Sequence, residues 1–164
     1  GEPMRAGEQA YISYGAKGND ELLQLFGFVE ENNPHDTMLG VGLPEHVCGT
    51  ARTLYGGNDA EVDRRLAIVS ELGLEPSLFM AELNVRGAPA GTWHALRILL
   101  GNVDEVSGAG ASALSRPASL ETEVRCWAAV RSYCKAARAA MGGSRKADLT
   151  EMRSKGCPPR KRLA

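Results

Sequence analysis

Apolar side chains recur at three- and four-residue intervals along most of this chain, the spacing that puts one face of a helix against a core. Val62, Leu66, Val69 and Leu72 follow Asn58, which forms a capping box with Glu61, and precede Gly73 and Pro76, which stop the run. A second helix is expected over Ser77–Leu83. Thr92 is placed to cap a helix through Leu100, with Trp93, Leu96, Leu99 and Leu100 apolar and Gly101 after it. The clearest helix runs from Leu120 to Met141, with Ser119 as cap, Glu121 and Glu123 at its positive end and Gly142-Gly143 as terminator. Its expected inward stripe is Leu120, Val124, Trp127 and Cys134. Trp93 and Trp127 read as core residues at these helical positions, with a ligand pocket as the other reading. A short helix is expected over Lys146–Ser154.

The beginning of the chain reads differently. Gln9–Tyr14 mixes β-branched, aromatic and small residues between Gly7 and Gly15, as a short strand does. Asn19 is expected to cap a helix over Asp20–Phe28, with Leu22, Leu23, Leu25 and Phe26 on its apolar face and the turn-rich Glu31–Asp36 as its exit. Gly40–Gly57 is glycine-rich and weakly patterned, and reads as a connector holding one extended piece. Ser107–Ser115, rich in Gly, Ala and Ser, reads as a flexible loop. The expected fold is therefore mainly α, a strand and helix followed by an antiparallel helical array.

Composition narrows the function classes. With 43% hydrophobic and 24% charged residues the 164-residue chain is of the soluble globular kind, and a net charge of −1 gives no global reason to expect nucleic acid. No apolar run approaches the roughly 20 residues that span a bilayer. Cys48, Cys126, Cys134 and Cys157 form no Cys-x-x-Cys pair, and His35, His46 and His94 are not spaced around them as zinc ligands. Scattered thiols suit a reducing, intracellular compartment, whether cytoplasm, nucleus or plastid. Gly108–Ala113 formally matches G-x-G-x-x-A but lacks the preceding strand that a dinucleotide site needs. Arg145–Ala164 carries seven Lys/Arg against two Asp/Glu. With two prolines and no apolar periodicity it reads as a solvated tail, and as a nucleic-acid contact only if affinity proved steeply salt-dependent.

One stretch carries a family pattern. Ala6–Asp36 contains Gly7-Glu8, Ser13-Tyr14-Gly15, Asn19, Glu21-Leu22-Leu23, Phe26-Gly27-Phe28 and Asn33-Pro34. In that order and spacing it resembles the C-terminal end of the SET domain in the plant Rubisco lysine methyltransferase family. More loosely, Glu71–Leu78, Ala95–Leu99, Ser119–Ala137 and Ala147–Met152 resemble that family's helical substrate-binding domain. The resemblance implies the end of a SET domain over 1–38, a connector over 39–57, a helical substrate-binding domain over 58–152 and a basic tail over 153–164.

It also implies an activity, the transfer of a methyl group from S-adenosylmethionine to a side-chain nitrogen, most simply lysine, of a protein substrate. Metal, membrane and nucleic acid have no part in that reading. Tyr14 corresponds to the tyrosine where cofactor and substrate channels meet, and so carries both a catalytic and a cofactor-binding role. Phe28 corresponds to the aromatic that packs on the cofactor's adenine. Phe26 stands where relatives often carry a tyrosine that lines the lysine pocket. Methyl transfer is an in-line displacement by a neutral amine, so a phenol that fixes the amine and carbonyls that hold the methyl by C–H···O contacts supply what the reaction needs. The family's upstream glycine motif and Asn-His dipeptide do not occur in this chain, so most of the cofactor site is expected to come from sequence before Gly1, with the chain inactive alone. The alternative class is a non-enzymatic helical interaction module that keeps Asn58–Met152 as a docking surface.

Overall fold

Leu43, Val47 and Ala51 lie four residues apart and are completely buried, and they define a helix where the glycine count had suggested a connector. This α2 (Leu43–Leu54) carries Pro44 in its first turn, where a missing N–H leaves no bond unmade. The computed structural model describes residues 7–8, 13–108, 111–142, 150 and 154. Among them the fold is mainly helical, with one two-stranded antiparallel sheet. The elements before α2 are α1 (Asn19–Phe26) and β1 (Met38–Leu39), and α3 (Asp59–Glu71) and α4 (Glu75–Phe79) follow it. Next come β2 (Glu82–Leu83), α5 (Ala90–Leu100), α6 (Val103–Gly108), a 3-10 turn over Ala111–Ser115 and α7 (Leu120–Ala140). Most of the strand expected over Gln9–Tyr14 lies outside the described residues, and Ser13–Gly15 have no regular structure. Thr150 and Ser154 are helical, and the rest of the expected Lys146–Ser154 helix and the basic tail also lie outside them.

The core is built around α5, which packs against α2, α3, α4, α7 and the 3-10 turn. Ala95, Leu96, Ile98, Leu99 and Leu100 are all fully buried, as befits a helix with neighbours on every side. Thr92 does not cap this helix. It sits inside the first turn, and its hydroxyl donates to the Ser77 carbonyl at 2.6 Å, tying α5 to α4. The helix expected over Ser77–Leu83 begins earlier, because Pro76 is best placed in a first helical turn, and it releases Leu83 to β2. There Leu83 pairs with Met38, and Leu39 with Glu82.

Two further expectations change. Ser107–Ser115 is not a free loop: α6 and the 3-10 turn occupy most of it and bury Val106 and Leu114. In α7 the inward face is Thr122, Cys126, Ala129, Val130 and Tyr133. Of the expected stripe only Cys134 packs partly against the core, while Leu120 is 82%, Val124 57% and Trp127 52% exposed, so Trp127 is not a core residue. The small residues of the true inner face admit α2 and α5 closely, and Tyr133 reaches across to donate to the Val41 carbonyl at 2.7 Å. Burial pushes the Cys126 thiol on this face up to about 12.

Ions hold the helix ends. Arg97, buried on α5, forks onto Glu123 of α7 at 2.6 and 3.1 Å. Glu105 accepts from the Asn102 and Ser119 backbone N–H groups and, at 2.6 Å, from the Thr122 hydroxyl, so it anchors the start of α7 to α6. Burial pushes the Glu105 carboxyl up, but these hydrogen bonds outweigh it and hold it at about 2. Glu61 is likewise held at about 2, by Arg64 and then Arg65, against burial. Both values lie below the ordinary 4.5. The stability these carboxylates contribute is therefore complete above about pH 4.5 and lost as pH falls towards 2. Urea midpoints by circular dichroism are expected to drop steeply over that interval, and Glu105→Gln to flatten the drop. An unchanged acid slope in that variant would refute the assignment.

Candidate functional site

Three of the described aromatic side chains near the start of the chain meet, and they are the three the family pattern singles out. Tyr14 lies 4.4 Å from Phe26 and 5.3 Å from Phe28, centroid to centroid, with Phe26 and Phe28 6.4 Å apart. The Tyr14–Phe28 contact is edge-to-face and the other two are tilted, geometries that aromatic quadrupoles favour. Tyr14 is 40% and Phe26 44% exposed, and Phe28 is half-buried, so the cluster faces outward.

Local chemistry brings the rings together. Phe26 is the last residue of α1, and Gly27 follows in the left-handed conformation, φ 74°, with its N–H donating to the Leu23 carbonyl. That turn reverses the chain at once, so Phe28 returns beside the helix it has just left. The returning segment is clamped by Asn19, which pairs with both backbone groups of Glu30: its amide donates to the Glu30 carbonyl at 3.0 Å, and its oxygen accepts the Glu30 N–H at 2.8 Å. Asn33, itself buried, donates to the Lys17 carbonyl at 2.8 Å and fixes the approach to α1 from the Tyr14 side.

Asn19 therefore does not cap α1 as expected. The helix begins one residue earlier, Gly18 occupies the cap position without a side chain, and the Asp36 carboxylate accepts the Asn19 N–H at 2.9 Å instead. A remote carboxylate at this end satisfies an orphan donor and complements the helix dipole. The sequence reading missed Asn33 and Asp36 as positioning residues. Their signal was the turn-rich Glu31–Asp36 itself, since Asn and Asp in such turns often bond to nearby backbone.

α1 buries Leu22 and leaves Leu23, Leu25 and Phe26 of its expected apolar face exposed, with Val29 beside them. A phenol that can donate and accept, flanked by two phenyl rings and an uncovered aliphatic surface, has the chemistry that one wall of a binding site needs. It can stack on a planar group and attract a cation such as a sulfonium or ammonium.

Other candidate chemistry resolves into structure. His46 on α2 and Ser132 on α7 are 2.6 Å apart, but the Ser132 hydroxyl also approaches the Ala129 carbonyl of its own helix at 3.0 Å, and the pair serves to join the two helices. His94 is bonded to the Ala111 carbonyl at 2.8 Å. Among the described residues no three His, Cys, Asp or Glu side chains gather as metal ligands would, and no helix is long and apolar enough to cross a membrane. No family model matches the chain, and no curated protein or solved structure matches it.

Proposed function

We propose that this chain is the C-terminal portion of an S-adenosylmethionine-dependent protein methyltransferase of the SET type, with lysine as the acceptor residue. The convergence of Tyr14, Phe26 and Phe28 carries the reading. Three residues picked out by a family pattern, and separated by up to 14 positions, stand in one cluster beside an uncovered apolar face. In this reading Tyr14 orients the attacking amine, Phe28 packs on the adenine of the cofactor, and Phe26 lines the channel for the lysine side chain. The helical body behind them carries the protein substrate. On this reading the remaining walls of the cofactor site would have to come from residues outside this chain.

One wall does not make a pocket. Calorimetric titration of S-adenosylmethionine into residues 1–164 is therefore expected to give no tight binding, and titration into a longer chain that supplies the glycine motif and Asn-His dipeptide to give a saturable isotherm. Tight binding by residues 1–164 alone would contradict the division of the site. An extended chain that binds none would overturn the methyltransferase reading.

A further inference from the structure

The outward face of α7 is not an ordinary solvated helix surface. Val124, Trp127 and Cys134 face the β2 hairpin across an open groove of about 590 Å³, whose floor is completed by Leu83 and Val130 and whose wall is Val85. The hairpin is closed by a bridge between Asn84 and Gly87, and Gly87, at φ 121°, lies against the edges of Trp127 and Trp93. The two indoles are 4.4 Å apart and hold Trp127 in place, half exposed, in the groove. A second hollow of about 370 Å³ shares Leu83, Val85 and Cys134 with the first and runs on to Arg138 and Met141. Together they follow α7 from Val124 to Met141, about 25 Å at the helical rise.

The charge around this apolar floor is mainly positive. Arg86 and Arg131 line the first hollow and Arg138 the second, and none of the three has an ion-pair partner among the described residues. The cations that do form described ion pairs, Lys17, Arg52, Arg64, Arg65, Arg97 and Arg125, line neither hollow. Asp36, the one carboxylate lining either hollow, is already bonded to Asn19.

We propose that this groove docks an acidic amphipathic helical segment of a partner protein, with apolar side chains on Trp127 and the aliphatic floor and carboxylates on Arg86, Arg131 and Arg138. Length, apolar depth and unpaired arginines together specify that occupant. A helix of about 16 residues matches the groove's length. A central exposed tryptophan beside arginines is the composition in which interface energy concentrates. A second copy of the chain is disfavoured, because a two-fold contact through this face would set its arginines against their own counterparts. A nucleic-acid strand would find the arginines but leave the Leu83, Val85, Val124 and Val130 surface without a match. The inference stands on the groove alone and is independent of methyl transfer.

The test is fluorescence anisotropy with a labelled peptide about 16 residues long, leucine at i, i+4, i+7 spacing and glutamate elsewhere. Binding is expected at a Kd of ~1–50 µM, weakening with added salt. Trp127→Ala and Arg131→Glu are each expected to weaken it at least tenfold, with far-UV circular dichroism unchanged because both side chains are exposed. A version with lysine for glutamate should not bind. No binding by the glutamate peptide, or equal binding by the lysine one, would overturn the proposal. So would a solution dimer that Trp127→Ala dissolves, or a single-stranded oligonucleotide that displaces the peptide and binds more tightly.

Discussion

Arg65→Ala is expected to destabilise the protein by about 3–5 kcal/mol, enough to leave a domain of ordinary stability largely unfolded. Arg65 is a fully buried cation, and its bonds hold the end of the central helix. Its guanidinium donates to Glu61 at 2.6 Å, to the Ile98 carbonyl at 2.6 Å and to the Gly101 carbonyl at 2.8 Å, and it lies 4.4 Å over the Tyr55 ring. Tyr55 adds its own hydroxyl to the Leu99 and Gly101 carbonyls, and Arg125 reaches Leu100. The last carbonyls of α5, which no helix can satisfy internally, are thus met from three other helices or their ends. Removing the cation strands the buried Ile98 carbonyl and empties a fully buried volume, while Glu61 keeps Arg64 and the Gly101 carbonyl keeps Tyr55. Arg65→Lys keeps the charge but cannot fork, and an intermediate loss of ~1–3 kcal/mol is expected. Arg65→Met combined with Glu61→Gln should recover part of the Arg65→Ala loss, since it fills the volume without leaving an unpaired charge. Urea denaturation followed by circular dichroism measures all three, and an Arg65→Ala midpoint close to that of the unmodified protein would refute the role.

Arg65 also shows what the sequence could not reveal. Asn58, Ser119, Gly73 and Gly142 mark helix ends by bonds made within a few residues, so α3 and α7 were legible where they start and stop. Which side of α7 turns inward was not. Both its stripes are apolar, and the larger side chains lie on the outer one, because the inner face must admit α2 and α5 closely. The choice depends on neighbours far off in sequence. The same holds for Arg65 and Arg97, polar letters on apparently solvated helix faces whose acceptors lie 33 and 26 positions away. α2 carried a readable signal in Leu43, Val47 and Ala51, and the five glycines in and around it obscured that signal. At the candidate site the Phe26-Gly27-Phe28 turn was local and legible. The clamp that brings Tyr14 onto it runs through Asn19, Asn33 and Asp36, and only the folded chain displays it.

In the proposed methyltransferase, Tyr14→Phe is expected to reduce methyl transfer by on the order of a hundredfold or more, measured in whatever longer chain binds S-adenosylmethionine, while leaving the affinity for that cofactor nearly unchanged. The two halves of that result separate the hydroxyl from the ring. Phenylalanine keeps the contacts with Phe26 at 4.4 Å and Phe28 at 5.3 Å, so the cluster and its cofactor face persist. What would be lost on that proposal is the hydrogen bond from the phenol to the amine, an interaction that counts only as the nitrogen approaches the methyl carbon. Its absence should therefore appear in kcat rather than in cofactor binding. Tyr14→Ala removes ring and hydroxyl together and is expected to weaken the cofactor as well. On the same proposal Phe26→Tyr adds a hydroxyl where the lysine side chain would lie, and is expected to shift products towards fewer methyl groups without a comparable loss of rate. Mass spectrometry of the methylated substrate reads that shift directly. A Tyr14→Phe enzyme with full turnover would show that the phenol does no more than pack, and the aromatic cluster would then be a structural closure of α1 and not the wall of a methyl-transfer site.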